Sequence, residues 1–124
     1  MLEEFLSKRT LAAFFEVYRQ VGYGFPEAIC ANGLAVEFEF RGIPFEREVP
    51  IEVVYKGVSI GFFRIDFVVG NRILVETKAS RELTPADQRQ VLNYLKASSF
   101  KVGLLLHFGP EKGAFKRFVH SRKR

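Results

Sequence analysis

Residues 45–78 contain only two short breaks, and those breaks fix most of what the chain can become. Lys56-Gly57 and Gly70-Asn71-Arg72 are turn-forming clusters that separate three stretches, 45–55, 58–69 and 73–78, rich in β-branched and aromatic residues. Connections this short can join only antiparallel neighbours, so a β-meander is expected. In its first strand Val49, Ile51 and Val53 fall on one face, with Glu46, Glu48 and Glu52 on the other. Upstream, Phe5, Leu6, Leu11, Phe14, Phe15, Tyr18 and Val21 recur at helical spacing and predict a helix over 3–21, ended by Gly22-Tyr23-Gly24. Pro26 opens a second helix that is expected to turn Ile29, Ala31, Leu34, Ala35 and Phe38 inward and to stop near Gly42. Downstream, Thr84-Pro85-Ala86-Asp87 is a helix start: a hydroxyl cap, a proline at the first position and an acid in the first turn. That helix should reach Ser98 and bury Val91, Leu92 and Leu95. The apolar stretch 101–108 predicts an interior strand, and 115–119 either a short edge strand or a helix. The order is ααβββαβ, an α/β chain.

A length of 124 residues suits one domain, and 48% apolar against 27% charged residues excludes a disordered tract. The single cysteine cannot form an internal disulfide. No apolar run approaches the ~18–20 residues that span a bilayer. The start, Met1-Leu2-Glu3-Glu4, is acidic, unlike a signal peptide. A cytoplasmic single domain over 1–124, without a membrane partner, is therefore expected. Charge is unevenly placed: residues 1–108 carry 13 Lys/Arg and 13 Asp/Glu, whereas 109–124 carry six basic residues against Glu111. This basic C-terminal segment, with Lys112, Lys116, Arg117, Arg122, Lys123 and Arg124, suits either contact with a nucleic-acid backbone or simple solubility.

Asp66, followed after the second turn by Glu76-Thr77-Lys78, is the sharpest chemical feature. With a three-residue turn, Val69 pairs with Ile73, Asp66 lies opposite Glu76, and Asp66, Glu76 and Lys78 converge on one face. With a two-residue turn Asp66 instead opposes Val75, and the carboxylates separate. Two such carboxylates repel unless a cation lies between them, and hard oxygen donors suit Mg²⁺ or Mn²⁺. A neighbouring lysine can orient a water attacking phosphorus. The alternative is a cross-strand salt-bridge group on a wet sheet face. The apolar flanks Phe62-Phe63, Phe67-Val68-Val69 and Ile73-Leu74-Val75 favour the metal, because acids in such surroundings are costly unless paired or metal-bound.

Gly24-Phe25-Pro26-Glu27, the run from Arg41 to Pro50, Tyr55-Lys56-Gly57, Arg64-Ile65-Asp66 and Val75-Glu76-Thr77-Lys78 resemble, in order, the core of the GxxExxY proteins over residues 11–120. That family is placed in the PD-(D/E)xK nuclease superfamily. The resemblance implies a restriction-endonuclease-like fold, an αβββαβ core with a mixed sheet, here with an additional N-terminal helix. It further implies Asp66, Glu76, the Thr77 carbonyl and an accessory Glu27 as metal ligands, and Lys78 as the catalytic lysine. Gln90 and Tyr94, one helical turn apart, are similar to the motif that accompanies the core in RecB-type members. Gln90 would bond near Lys78 or the DNA backbone. Tyr94 would pack beneath the site and, with Lys112, Lys116 and Arg117, face nucleic acid. The chain departs from the family pattern at Cys30, where a tyrosine is usual, at Tyr18, where histidine is common, and at His107, where asparagine is expected.

The expected function is a Mg²⁺- or Mn²⁺-dependent nuclease hydrolysing phosphodiester bonds, with DNA as substrate. The alternatives are a nucleic-acid-binding or assembly module that keeps the fold without turnover, and a protein-only interaction role. A core this small leaves little room for a substrate groove, so a homodimer or a partner protein is also expected.

Overall fold

Backbone conformation in the second turn settles the register. Gly70 and Asn71 both adopt positive φ, 58° and 59°, and the Arg72 N–H donates to the Val69 carbonyl at 3.0 Å. The turn is therefore three residues long, and Val69 pairs with Ile73, Val68 with Leu74 and Phe67 with Val75. Glycine suits position 70, where φ is positive and a Cβ would come within 2.7 Å of the Leu6 side chain.

The structure, a computed structural model, describes residues 2–121. Its elements in chain order are α1 (Leu2–Val21), α2 (Glu27–Phe40), β1 (Phe45–Tyr55), β2 (Val58–Val69), β3 (Ile73–Lys78), α3 (Pro85–Ala97), β4 (Val102–Phe108) and β5 (Gly113–Val119). The five strands form one mixed sheet in the order β1-β2-β3-β4-β5. β3 and β4 are parallel, because α3 carries the chain back between them, and every other pair is antiparallel. The α/β class, the meander and the mixed sheet agree with the expected architecture. Residues 115–119 fall within the edge strand β5, and β4 is buried along its whole length. Among the described residues no helix is long and apolar enough to cross a membrane.

α1 and α2 cover one face of the sheet, where Phe14, Leu34 and Phe38 pack against Phe67, Val75 and Leu104. α3 covers the other, where Val91 and Leu95 meet Ile65, Leu74 and Leu105. Helical spacing misplaces some side chains. Phe5, Phe15 and Ile29 are exposed and Leu92 is half-buried, whereas Thr10, Ala13, Val17 and Cys30 are buried. Phe5 and Phe15 flank the buried arc of α1, and α2 carries apolar residues on every side between Glu27, Asn32, Glu37 and Glu39, so periodicity alone does not select its inner face.

Thr84 caps α3: its side chain accepts from the Asp87 N–H at 3.1 Å, while the Thr84 N–H donates to Asp87 Oδ2 at 2.9 Å. Thr84→Ala is expected to cost about 1 kcal/mol of stability, read from denaturant unfolding, with Thr84→Ser restoring most of it.

Candidate active site

Asp66 occupies a break in the sheet. It belongs to β2 but pairs with neither neighbouring strand: the β1 ladder passes from Arg47–Phe67 to Val49–Ile65, and the β3 ladder ends at Phe67–Val75. Glu48, at the same level on β1, has a φ of 49°. Alternation inverts across this point. Phe67 and Val69 face α1 and α2, whereas Ile65 and Phe63 face α3, although all four are odd-numbered.

Side chains replace the missing rungs. The Asp66 N–H donates to Glu76 Oε2 at 2.9 Å. Asp66 Oδ2 accepts from the Thr77 N–H at 2.9 Å and from the Thr77 hydroxyl at 3.1 Å. The three-residue turn thus brings Asp66 level with Glu76, but the two carboxylates do not lie side by side on one face. Each reaches across to the other strand's backbone. By alternation Glu76 and Lys78 project toward α3, as Leu74 does. Asp66 opens toward α2, into a cleft of about 290 Å³ lined also by Glu27, Ala31, Asn32, Arg47, Glu48 and Thr77. The site surrounds the end of β3 instead of resting on one wet face.

Its electrostatics are those of crowded acids. Glu76 is 4% exposed. Burial, and then the Asp66 charge, push its carboxyl up to about 8, against the pull of the Asp66 N–H and Lys78. Glu27, at the first position of α2, is raised by burial and by Asp66, with Lys78 opposing. Tyr94 is raised by burial and then by Glu76 and Asp66. Glu27, Asp66, Glu76, Lys78 and Tyr94 therefore share one electrostatic environment.

Lys78 lies 3.9 Å from Asp87 Oδ1. The sequence marks Asp87 as a capping residue, and nothing in its spacing marks it as the partner of Lys78. His107 stands level with Lys78 on β4. Its Nε2–H donates to the Ser80 carbonyl at 2.8 Å and holds the chain just beyond the lysine. Arg47, also unmarked by any motif, lines the cleft with its guanidinium donating to Asn32 Oδ1 at 2.9 Å and lying over the Phe67 ring.

The Gln90 amide N–H donates to the Tyr94 hydroxyl at 3.1 Å, and among the described residues its buried Oε1 has no partner. The Tyr94 ring stacks on Phe63 at 3.9 Å, which leaves one ring face taken. Lys112 sits in the turn after β4, at the same end of the sheet as Lys78. Lys116 and Arg117 are successive residues of β5 and so point to opposite faces. Arg117 lines a cavity of about 630 Å³ beside Glu3, Glu4 and Leu11 on the α1 side, away from Asp66 and Glu76. Arg122, Lys123 and Arg124 lie outside the described residues.

Among the described residues no three His, Cys, Asp or Glu side chains come close enough to hold an ion by themselves. The donor chemistry nonetheless fits a hard divalent ion. Mg²⁺ is commonly bound by one or two carboxylates, with waters and substrate phosphate completing its shell. A carboxyl driven upward by burial, and then by a neighbouring carboxylate, is also what such an ion would relieve.

A sequence profile described as the PD-(D/E)XK nuclease superfamily matches residues 4–118 of the chain. No curated protein matches its sequence. Among solved structures, the chain is similar to the crystal structure of SSO0001, with a TM-score of 0.58 and 18% identity over 99% of this chain and 80% of that one. At that identity the likeness concerns the fold.

Proposed function

Because this chain belongs to the PD-(D/E)XK nuclease superfamily, we propose that it is a metal-dependent nuclease that hydrolyses phosphodiester bonds of DNA. The observation that carries the reading is the opened rung at Asp66 and Glu76, where each carboxylate bonds the backbone of the other's strand and Lys78 follows Glu76 by two residues on β3. Within the superfamily we assign it to the GxxExxY branch, acting in the cytoplasm as one domain over 1–124.

Asp66, Glu76, the Thr77 carbonyl and Glu27 would hold Mg²⁺ or Mn²⁺, which when bound supplies a Lewis acid and a more acidic water. The Thr77 N–H and hydroxyl hold the Asp66 carboxylate, and the Asp66 N–H holds Glu76, so the two acids are oriented before substrate arrives. Lys78 orients the attacking water and offsets charge developing on the phosphoryl oxygens. Asp87 lies 3.9 Å from its ammonium, and the His107–Ser80 contact holds the chain just beyond it. Gln90, with its free acceptor, supports the α3 side of the site. Arg47 and Lys112 would contact flanking phosphates, with Lys116, Arg117 and Tyr94 as further contacts to nucleic acid.

The test is cleavage of single- and double-stranded DNA, and of RNA, with Mg²⁺ or Mn²⁺ by the parent and by Asp66→Ala. DNA cleavage by the parent, lowered at least about 100-fold in the variant, is expected. No cleavage of any substrate by the parent, or equal cleavage by both proteins, overturns the reading. RNA cleavage alone overturns the choice of DNA.

A positioning role for Asp87 is separable from its cap. Asp87→Asn is expected to lower kcat roughly 10-fold with KM little changed, because Lys78 loses its partner. Thr84→Ala damages the same cap and should leave kcat near that of the parent. Steady-state kinetics of the two variants check this, and equal losses would assign Asp87 to the helix cap alone.

A further inference from the structure

We propose that the cavity between α1 and the edge strand β5 is a binding site for a small organic carboxylate with an apolar body, such as a medium-chain fatty acid. Its volume, about 630 Å³, falls within the roughly 300–1,000 Å³ of small-molecule sites. Helix and strand meet at one end of it. There the Phe15 ring approaches Phe115 edge-on at 6.2 Å, and a Cβ at Gly113 would come within 2.9 Å of Tyr18. Farther along β5 the cavity lies between the two elements, and Phe115 and Val119 stay 41% and 59% exposed.

One polar atom selects the head of the ligand. Ser7 lines the cavity and is 4% exposed, yet among the described residues its buried hydroxyl has no hydrogen-bond partner. A helical serine can bond the carbonyl one turn back, and leaving a buried hydroxyl unpaired costs stability. Rotation about χ1 between staggered wells turns this hydroxyl to the cavity. Lys8, Lys101 and Arg117 line the same cavity from α1, from the start of β4 and from β5. Among the described residues no ion pair holds any of the three. A guanidinium fork with a hydroxyl donor beside it matches a carboxylate. The acids present do not reverse the balance. Glu3 is taken by Arg72 at 3.3 Å, and Glu4 is offset by Lys8, four residues on along the helix.

The wall selects the body. Phe115, Arg117 and Val119 pair with Leu106, Leu104 and Val102, which face the α1 side, so the two apolar residues flank the guanidinium on one strand face. Leu11, one turn beyond Ser7, and Val102 extend that apolar surface. One buried hydroxyl satisfies one polar head. A nucleotide or a sugar would leave many polar atoms unpaired against such a wall, whereas an alkyl or phenyl-alkyl chain leaves none.

Isothermal titration of the full chain with octanoate, without nucleic acid or metal, should show one site with a Kd of roughly 0.1–1 mM, the affinity that about ten heavy atoms supply. Acetate, which lacks the body, and octylammonium, which reverses the charge, should each bind at least about 10-fold more weakly. Arg117→Gln and Ser7→Ala should each weaken octanoate about 10-fold, while Phe62→Ser, at an exposed position of β2 far from the cavity, should bind as the parent does. Ser7→Ala without ligand should melt a few degrees higher, because it removes the unpaired hydroxyl. No binding by the parent up to about 10 mM octanoate, equal binding of acetate or octylammonium, unchanged affinity in Arg117→Gln, or a lower melting temperature in Ser7→Ala overturns the proposal. The measurement reads binding and not cleavage, so it stands apart from the nuclease reading.

Discussion

Without divalent metal, Glu76→Gln is expected to be more stable than the parent at pH 8 and to lose that advantage at pH 5. The Glu76 carboxyl lies near 8 in the folded chain against 4.5 as the ordinary value. Between those two pH values the folded state binds a proton that the unfolded state has released. Stability from this group is therefore fully present below about 4.5 and falls as pH rises toward 8, by up to about 1.4 kcal/mol per unit. The total loss is several kcal/mol. Glutamine carries no charge to desolvate and keeps an oxygen to accept the Asp66 N–H. An advantage of about 2–4 kcal/mol at pH 8, or roughly 10 °C in Tm, should shrink to near zero at pH 5. Titrating groups remote from Glu76 are shared by both proteins and cancel in the difference. Added Mn²⁺ at pH 8 should raise the parent's Tm and leave the variant's nearly unmoved, since a ligand stabilises only the state that binds it. A Tm difference independent of pH would show that Glu76 is not strained by its charge, and equal stabilisation of both proteins by Mn²⁺ that it is not a ligand.

Lys78→Met is expected to separate catalysis from metal binding. Methionine keeps the apolar stem and removes the ammonium. The contact with Asp87 is long, at 3.9 Å, and partly exposed, so its loss costs at most about 1 kcal/mol and leaves the fold intact. Stabilisation by Mn²⁺ should persist, because the lysine donates nothing to the ion. Cleavage should fall roughly 10²–10⁴-fold in kcat, with little change in KM, the size of effect that follows loss of a group acting on a proton in the transition state. Activity within a few-fold of the parent would remove Lys78 from the chemistry. Loss of Mn²⁺ stabilisation along with activity would reassign it to site assembly.

Features set by neighbouring residues are legible in the sequence. Gly70-Asn71-Arg72 marks the turn, while the positive φ at Gly70 and Asn71 decides the three-residue length that the sequence leaves open and so the level of Asp66 against Glu76. The Thr84–Asp87 cap is likewise written within four residues. The resemblance to a nuclease family, read from short motifs in order, agrees at the level of the superfamily with the match over residues 4–118.

Other features depend on what packs against what. Strict alternation places Asp66 and Glu76 on one face. The structure instead opens the rung, because β2 inverts between Ile65 and Phe67 to serve two cores at once. Phe15 and Ile29 look like core residues by spacing, yet the sheet offers α1 and α2 only one buried arc each. Lys116 and Arg117 share a basic segment and a run of charge, but the strand that carries them turns them to opposite faces.

From its residues alone this chain determined the order of its elements up to β4, the position of its central hairpin and the identity of its acids and lysine, with the register left between two turn lengths. Those depend on local backbone preference and on spacing along the chain. Only tertiary structure decided how the carboxylates meet, that Asp87 and His107 hold the Lys78 region in place, and which side of α2 is left uncovered. Each of these depends on groups far apart in sequence, brought together by burial.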